Sequence, residues 1–346
     1  MPASPAADAA VPPPSAEESA RIEASVAALR QAREQLLEQI GRVIVGQEAV
    51  IDQVLVAFFA QGHCLLIGAP GLGKTLLVRT LAQALALQAK RIQFTPDLMP
   101  ADITGTDILE EDGETGRRRF RFNQGPVFTN ILLADEINRT PPKTQAALLE
   151  AMGEGHVTAG GQTHELSRPF FVLATQNPIE LEGTYPLPEA QLDRFLLNIV
   201  MDYLPLADEE RMVKETTSPD PAQLASVLSG EEVIALQRLV REVPVSDNVV
   251  SYAVRLCAAT RPRTEHAAER VNEMVQWGAG SRASQALILA GKARALLAGR
   301  RNVACEDVRE LALPVLRHRV ITNFRADAEG LSSEQLIRDI IAAVAE

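Results

Sequence analysis

The chain has 346 residues, a length that accommodates about two domains of ~150 residues each. Its formal net charge of −11 argues against a protein built to coat nucleic acid, because such binding needs an excess of basic side chains. The cysteines, Cys64, Cys257 and Cys305, form no C-x-x-C pair, so neither a zinc site nor a disulfide framework is expected. No run approaches the ~18 apolar residues of a membrane span, and the N-terminus lacks the pattern of a secretory signal. We therefore expect a cytoplasmic protein without a membrane span.

The first part of the chain combines a biased tail with two helices. Residues 1–19 are dominated by alanine, proline, serine and acids, a composition typical of disorder. Apolar spacing predicts helices over residues 20–40 and 48–60. Between them, the short apolar edge that ends at Val45 is followed by Gly46, an arrangement that suits an adenine pocket, although apolar edges before glycine are common.

A glycine-rich turn is the most informative stretch: Gly68-Ala69-Pro70-Gly71-Leu72-Gly73-Lys74-Thr75 matches G-x-x-x-x-G-K-[ST], the phosphate-binding loop. The apolar run 64–67 before it predicts a buried strand, and residues 76–85, beginning at Leu76, predict a helix. Glycines allow backbone N–H groups to face phosphate oxygens at the positive end of that helix. Lys74 would contact the β- and γ-phosphates of ATP, and the Thr75 hydroxyl can ligate Mg²⁺. The alternative is a glycine-rich turn without a ligand.

A β-hairpin is predicted after the short strand 91–94. Residues 107–122 alternate in the manner of strands around Asp112-Gly113, a strong hairpin-turn signal. Arginines cluster on its second half, at positions 117, 118, 119 and 121. They form either a solvated face or a contact to a substrate or partner, and nucleic acid is a minor option because the whole chain is acidic.

Two acids follow the next apolar strand, residues 131–134. Ligands of open α/β sheets bind outside the carboxyl ends of the strands, where Asp135 and Glu136 stand. Asp135 fits the acid that holds Mg²⁺, and Glu136 fits a base or water-positioning group for hydrolysis. The alternative is a strand that ends in a solvated acidic pair.

Two further polar residues adjoin predicted strands. A helix over 142–154 and a small hairpin over 157–166 precede the buried strand 170–177. Asn177 at its end could orient a water beside the γ-phosphate, or could simply form a turn before Pro178. Arg194 precedes the strand 195–200 and is either a surface ion-pair former or a group facing the nucleotide of a neighbouring subunit.

The sequence pattern from residue 232 onward predicts only helices. A linker over 205–231 contains one short helix, and helices are predicted over residues 232–243, 246–260, 281–298, 305–317 and 333–342. Strands alternating with helices and then a helical bundle indicate an α/β domain with a parallel sheet, residues 20–205, followed by a small all-α domain, residues 206–346.

Taken together, these motifs resemble the AAA+ ATPase superfamily and, within it, the MoxR family. The resemblance covers roughly residues 42–323. It is carried by the stretches Val45-Gly46-Gln47, Gly68 to Thr75, Gly125 to Arg139, Gln145 to Met152, Ala174 to Pro178, Leu192-Asp193-Arg194-Phe195 and Gly280-Ser281-Arg282-Ala283. The family commonly has a proline beside the last of these arginines, where this chain has Ser281.

The resemblance implies a role for each matching residue. Gly68 to Thr75 would be Walker A, Asp135-Glu136 Walker B and Asn177 sensor 1. Arg194 would be the arginine finger that reaches the next subunit's γ-phosphate, and Arg282, at the start of a lid helix, would be sensor 2. The hairpin over 107–122 sits where this clade carries an insertion in its second helix.

The resemblance also implies partners and a function. The family usually forms hexameric rings, is often paired with von Willebrand factor A domain proteins, and is linked to chaperone-like maturation, including metal-cofactor insertion. Two alternatives remain open at this stage: an ATP-gated scaffold with little turnover, and a nucleic-acid-dependent motor supported only by the arginines at 117–121.

Overall fold

The computed structural model describes residues 16–111, 118–179, 183–217 and 224–346. Most of the predicted tail (residues 1–15), the hairpin turn Asp112-Gly113 and Arg117 lie outside the described residues. The first helix begins at Ala16 instead of residue 20, so its pattern extends into the alanine- and acid-rich stretch assigned to the tail.

Strands and helices alternate up to about residue 216, and helices predominate afterwards. The strands are β1 (Cys64–Gly68), β2 (Ala89–Gln93), β3 (Gly105–Glu111), β4 (Arg118–Gln124), β5 (Ile131–Asp135), β6 (His156–Ala159), β7 (Gln162–Glu165), β8 (Phe171–Gln176), β9 (Leu197–Met201), β10 (Val275–Trp277) and β11 (Ile321–Thr322). The helices are α1 (Ala16–Gly41), α2 (Glu48–Phe59), α3 (Lys74–Ala84), α4 (Pro100–Thr104), α5 (Pro142–Glu154), α6 (Glu189–Leu192), α7 (Leu206–Thr216), α8 (Gly230–Glu242), α9 (Asp247–Ala259), α10 (Val271–Met274), α11 (Ser281–Leu297), α12 (Cys305–Leu316), α13 (Phe324–Ala328) and α14 (Ser333–Ala343).

A five-stranded parallel sheet in the order β2-β5-β8-β1-β9 forms the centre of the first region. Its middle strands are nearly continuous apolar runs, because helices cover both faces of a parallel sheet. Alternate residues enter two separate apolar clusters: Leu133 and Leu173 pack with α2 and α3, whereas Leu132 and Val172 pack with α5. The predicted parallel α/β core is confirmed.

Two antiparallel hairpins, β3–β4 and β6–β7, stand outside the central sheet, as the sequence predicts. Their bases pack on one another through Phe122 and His164, whose rings stack with centroids 3.9 Å apart and planes 15° apart. The hairpins therefore form one projecting unit beside α5.

The C-terminal helical region packs on the α2 face of the sheet. Helix α11 contacts α1, α2, α8, α9 and α12, and its buried side chains belong to the same apolar cluster as α2 and α3. The prediction of a wholly helical second part is wrong in one detail, since β10 and β11 pair as a short antiparallel ladder. Elements of two and three residues are too short to show an alternating pattern. Within the described residues, no helix is both long and apolar enough to cross a membrane.

A buried carboxylate secures the connection between α11 and α12. Asp307 is fully buried and accepts hydrogen bonds from Arg294 Nη1 at 2.6 Å, Arg300 Nη1 at 2.7 Å and the Ala304 N–H at 2.9 Å. Burial alone would raise the pKa of Asp307, but the hydrogen bonds from Arg300, Ala304 and Arg294 outweigh it and lower that pKa. The ionised form therefore stabilises the fold.

We expect Asp307→Asn to lower the free energy of unfolding by about 3 kcal/mol at pH 7, because two arginines lose their buried counter-charge. Since the folded-state pKa is depressed, the carboxylate's contribution is complete above the unfolded-state value of about 3.9 and disappears as pH falls through the folded-state pKa. Urea denaturation at pH 7 and in steps below pH ~4 measures both effects. Glu306→Gln, an exposed neighbour on the same helix, is the matched control. Equal stability of Asp307→Asn and the parental chain at pH 7 would contradict this account.

Candidate nucleotide-binding site

Glycines shape the loop between β1 and α3. Gly71 and Gly73 have φ angles of +86° and +83°, in the left-handed region where a side chain is strained. A Cβ on Gly68 would lie 2.8 Å from the carbonyl oxygen of Met201 on β9, so the strand ends also require glycine there. The turn thus favours glycine at positions 68, 71 and 73, and Gly73 is the N-cap residue of α3.

Lys74 lies inside this loop. Its Nζ donates to the Gly68 carbonyl oxygen at 2.6 Å, which holds the side chain folded over the turn. Burial lowers the pKa of Lys74 below its usual value, and the charges of Asp135 and Glu136 offset only part of that effect. The amine therefore interacts electrostatically with both acids. This is expected, because the carboxyl ends of parallel strands lie at one edge of the sheet, which we term the carboxyl edge.

Thr175 holds the two acids in place from β8, the strand that lies between β5 and β1. Thr175 Oγ1 donates to Asp135 Oδ1 at 2.6 Å and accepts from the Glu136 N–H at 2.9 Å. Arg91, on the neighbouring edge strand, donates to the other oxygen, Oδ2 of Asp135, at 2.8 Å and 3.1 Å. The Asp135 side chain is 14% exposed, so it is ordered by hydrogen bonds on both oxygens yet still reaches solvent.

Glu136 adopts an unusual backbone conformation. Its φ and ψ are 57° and 51°, a left-handed geometry that is costly for a residue with a Cβ and that is often found at functional sites. Its Oε2 accepts from Gln93 Nε2 at 2.6 Å and from Arg139 Nη1 at 3.2 Å. Two side-chain donors thus hold the carboxylate at the carboxyl edge through one oxygen, Oε2.

Asn177 follows β8 at the same edge and is buried. Its Oδ1 accepts the Ile179 N–H at 3.1 Å, the local bond of a turn-forming asparagine. The structure therefore shows the turn that the sequence offered as the alternative, and the sensor role of Asn177 stays a prediction.

The upstream segment lies at the same edge. Gln47 Nε2 donates to the Asp202 carbonyl oxygen at 3.3 Å, just after β9, and a Cβ on Gly46 would meet Asp208 at 2.9 Å. Val45 is buried beside them. A cavity of about 180 Å³ next to the phosphate loop is lined in part by Ile67, Ala69, Leu72, Val200 and Tyr203.

Thr75 and Leu76 form the first turn of α3.

Arg194 lies at the opposite end of the sheet, the amino edge. It precedes β9, whose first residue, Leu197, pairs with Cys64, while Gly68 pairs with Met201 at the other end. Four residues of strand, about 13 Å at ~3.3 Å per residue, separate the two ends. Arg194 Nη1 donates to the Leu149 carbonyl oxygen of α5 at 3.0 Å. The structure therefore does not bring Arg194 to its own subunit's phosphate loop.

Arg282 also lies at the amino edge. Its Nη1 is 3.6 Å from Asp193 Oδ2, immediately before Arg194, and its side chain is 66% exposed. Arg282 thus lies near Arg194 and away from Lys74 of the same chain. The sequence alone did not predict that Arg282 and Lys74 are apart.

Four residues with clear contacts were missed by sequence reasoning: Gln93, Arg91, Thr175 and Arg319. Gln93 and Arg91 alternate on β2, and Thr175 interrupts an otherwise apolar strand, signals that indicate polar contacts at a strand end. Arg319 gives no signal, because its charged partner, Asp193, lies more than a hundred positions away along the chain.

The donors at the carboxyl edge fit Mg²⁺. Among the described residues, no group of three His, Cys, Asp or Glu side chains gathers as a metal cluster. Mg²⁺ does not need one, because it binds through one or two protein oxygens together with water and substrate phosphates. The Asp135 carboxylate and the Thr75 hydroxyl supply hard oxygen donors of that kind beside the phosphate loop.

Three family models match parts of the chain. The family model "ATPase family associated with various cellular activities (AAA)" matches residues 63–197, an AAA lid domain model matches residues 267–340, and an FtsK/SpoIIIE family model matches residues 23–95. A crystal structure of a protein from Cytophaga hutchinsonii is 40% identical, with a TM-score of 0.88 over 95% of this chain and 98% of that one.

Curated relatives cover most of the chain as well. Uncharacterized protein YeaC of Bacillus subtilis is 45% identical over 89% of this chain and 92% of its own length. Chaperone MoxR1 of Mycobacterium tuberculosis is 44% identical over 90% and 81%, and Protein MoxR of Methylorubrum extorquens is 32% identical over 92% and 94%. Together with the parallel α/β core and the match to a lid domain, these relatives show that the chain belongs to the MoxR family of AAA+ ATPases.

Proposed function

We propose that this chain hydrolyses ATP at the subunit boundaries of a homo-oligomeric ring and uses the resulting movement to remodel or mature partner proteins. One observation supports the chemistry above all others. The Lys74 amine, the Asp135 and Glu136 carboxylates and the glycine turn share the carboxyl edge, and Thr175 holds the two acids in a fixed relation.

Binding would be the work of the phosphate loop. Residues 68–75 would offer backbone N–H groups and the Lys74 charge to the β- and γ-phosphates, while Val45 and Gly46 would contact the adenine. Thr75 and Asp135 would hold Mg²⁺, which supplies neutralisation of the phosphate charge when bound. Thr175 keeps the Asp135 carboxylate oriented for that role through its 2.6 Å hydrogen bond.

Glu136 would act as the base that polarises the attacking water, with Asn177 helping to position that water. Its carboxylate is 21% exposed, so a water can approach it. Gln93 and Arg139 hold the carboxylate from the side in this structure, and their hydrogen bonds must be exchanged for the water when the base acts.

Arg194 would stabilise the charge that develops on the phosphate of the next subunit. The support is geometric: the length of β9 separates Arg194 from its own phosphate loop, and its guanidinium lies at the surface near α5. Arg282 shares that end of the sheet, so we extend the proposal to a pair of arginines that face the neighbouring nucleotide.

The wider role is proposed from the family resemblance. One relative is named a chaperone, and the proposed output is movement of the lid (residues 206–346) against the core (residues 20–205). A hexameric ring in the cytoplasm, a von Willebrand factor A domain partner and metal-cofactor insertion belong to the same proposal. Turnover that such a partner stimulates would separate this function from an ATP-gated scaffold.

A nucleic-acid motor finds less support. Within the described part of the hairpin, Arg118 lies 3.4 Å from Glu111 and Arg121 lies 3.2 Å from Glu110, so these charges are already paired across the strands. Salt-sensitive DNA binding that stimulates ATP hydrolysis would be needed to favour that function.

We expect Glu136→Gln to bind ATP normally and to hydrolyse it about 10²–10⁴-fold more slowly, because the amide cannot accept the proton of the attacking water. Phosphate release and binding of a fluorescent ATP analogue measure the two properties. Glu165→Gln, an exposed site on β7, is the control. Hydrolysis by Glu136→Gln at the parental rate would rule out the assigned role.

We expect Arg194→Ala to retain ATP binding and to lose about 10³-fold in turnover, the effect of removing an arginine finger. Mixing it with Lys74→Ala, which is itself inactive but keeps Arg194, should partly restore turnover, because the intact arginine then faces an intact phosphate loop. Arg168→Ala, another exposed arginine, is the control. Mixed rings that contain both variants and show no recovery would exclude action across the subunit boundary.

We expect Thr175→Val to slow hydrolysis by about 10–100-fold while ATP affinity changes little, because both acids lose the hydroxyl that orders them. Steady-state kinetics over a range of Mg²⁺ concentrations should show a higher requirement for the ion. Thr158→Val, at an exposed position of β6, is the matched control. Unchanged kinetics in Thr175→Val would show that the bridge has no part in turnover.

A further inference from the structure

The turn that follows helix α12 holds the segment that carries Arg194. Arg319 Nε donates to Asp193 Oδ1 at 2.7 Å, and its Nη2 donates to the Phe195 carbonyl oxygen at 2.8 Å. Its Nη1 reaches the Leu196 carbonyl oxygen at 3.3 Å. The contacts of one lid side chain therefore fall on both sides of Arg194.

Arg319 is poorly accessible to solvent, which makes these bonds strong. Its side chain is only 5% exposed, and Asp193 is its charged partner. Burial lowers the pKa of Arg319, and the hydrogen bond and charge of Asp193 raise it. A guanidinium presents its donors in a rigid plane, so it can bind a carboxylate and carbonyl oxygens at once and fix their relative positions.

Two further side chains contact the segment around Arg194. His318 Nε2 lies 3.1 Å from the Phe195 carbonyl oxygen, and Arg282 approaches the second oxygen of Asp193 at 3.6 Å. The Leu196 N–H donates to the His63 carbonyl oxygen at 2.8 Å, which anchors the segment to the sheet next to β1. The main chain around Arg194 is thus held between the sheet and the lid.

We propose that Arg319 is a positioning residue for Arg194: it ties residues 193–196 to the lid, so that the orientation of the lid sets where Arg194 stands at the subunit boundary. The proposal rests on the proposed role of Arg194 in the neighbouring site. Through the contacts of Arg319 with residues 193–196, a movement of one subunit's lid displaces the arginine that serves the next subunit's nucleotide.

Kinetics of Arg319→Gln and Arg319→Lys test this role. We expect kcat to fall about 10–100-fold in Arg319→Gln and less in Arg319→Lys, which keeps the charge for Asp193 but loses the fork to the carbonyl oxygens. ATP affinity should change less than about 2-fold, since the bound subunit's own phosphate loop is intact. The double variant Arg194→Ala/Arg319→Gln should be no slower than Arg194→Ala alone.

Mixed rings locate the affected site. Arg319→Gln combined with Lys74→Ala should regain turnover, because the Lys74→Ala subunit keeps a correctly held Arg194 and presents it to the intact loop of its neighbour. If Arg319 served its own subunit's nucleotide, the mixture would stay as slow as Arg319→Gln alone, which would overturn the proposal.

Arg317→Gln is the matched structural control. Arg317 Nη1 donates to the Asn198 carbonyl oxygen at 2.5 Å and its Nε to Glu334 at 2.5 Å, so it joins the same strand to the lid beyond residues 193–196. We expect a lower Tm with near-parental kcat. Should Arg319→Gln not fold, Arg319→Lys alone decides, with its Tm compared with that of Arg317→Gln.

The outcomes separate this inference from the function on which it rests. Parental kcat in folded Arg319 variants, together with a slow Arg194→Ala, would overturn the positioning role and leave the neighbour-acting arginine in place. Parental kcat in Arg194→Ala would instead remove the proposed role of Arg194, and the positioning role with it.

Discussion

The parallel pairing of β5, β8 and β1 is the constraint on which the rest of the structure depends. Because every strand runs the same way, the residues that follow them meet at one edge, and the glycine turn, the acids and Thr175 come within reach of each other. The Thr175 hydroxyl fixes the relative positions of the two acids, because it donates to Asp135 and accepts from the backbone N–H of Glu136. Burial around Lys74 strengthens the electrostatic interaction between its amine and both acids.

The same pairing separates the two halves of the proposed catalytic unit. A residue before β9 cannot reach the loop after β1, because the length of the strand lies between them. Each chain therefore presents a phosphate loop at one edge and Arg194 with Arg282 at the other, and under the proposed function the two edges complete one site between subunits. The lid contacts the arginine edge through Arg319, so the mobile part of the proposed mechanism adjoins the group that it would deliver.

Agreement between sequence and structure is closest where local patterns are strong. The phosphate loop, β5 with its terminal acids and helix α5 have the predicted positions, because apolar runs and glycine spacing act over short distances. The β10–β11 ladder was missed since its strands are too short for a pattern and the paired residues lie about 45 positions apart in the chain. The start of α1 differs for another reason: alanine and glutamate favour helices even in a biased stretch.

The sequence by itself determined the chemical groups: a glycine turn with a lysine, two acids at a strand end, and arginines suited to phosphate. Those properties follow from residue type and near-neighbour spacing. Only the tertiary structure decided which groups meet. It placed Gln93 and Arg91 on the acids, left Asn177 Oδ1 in a turn, and put Arg282 beside Asp193 instead of Lys74. Contacts between residues far apart in the chain depend on how strands and helices pack, and no local pattern encodes that packing.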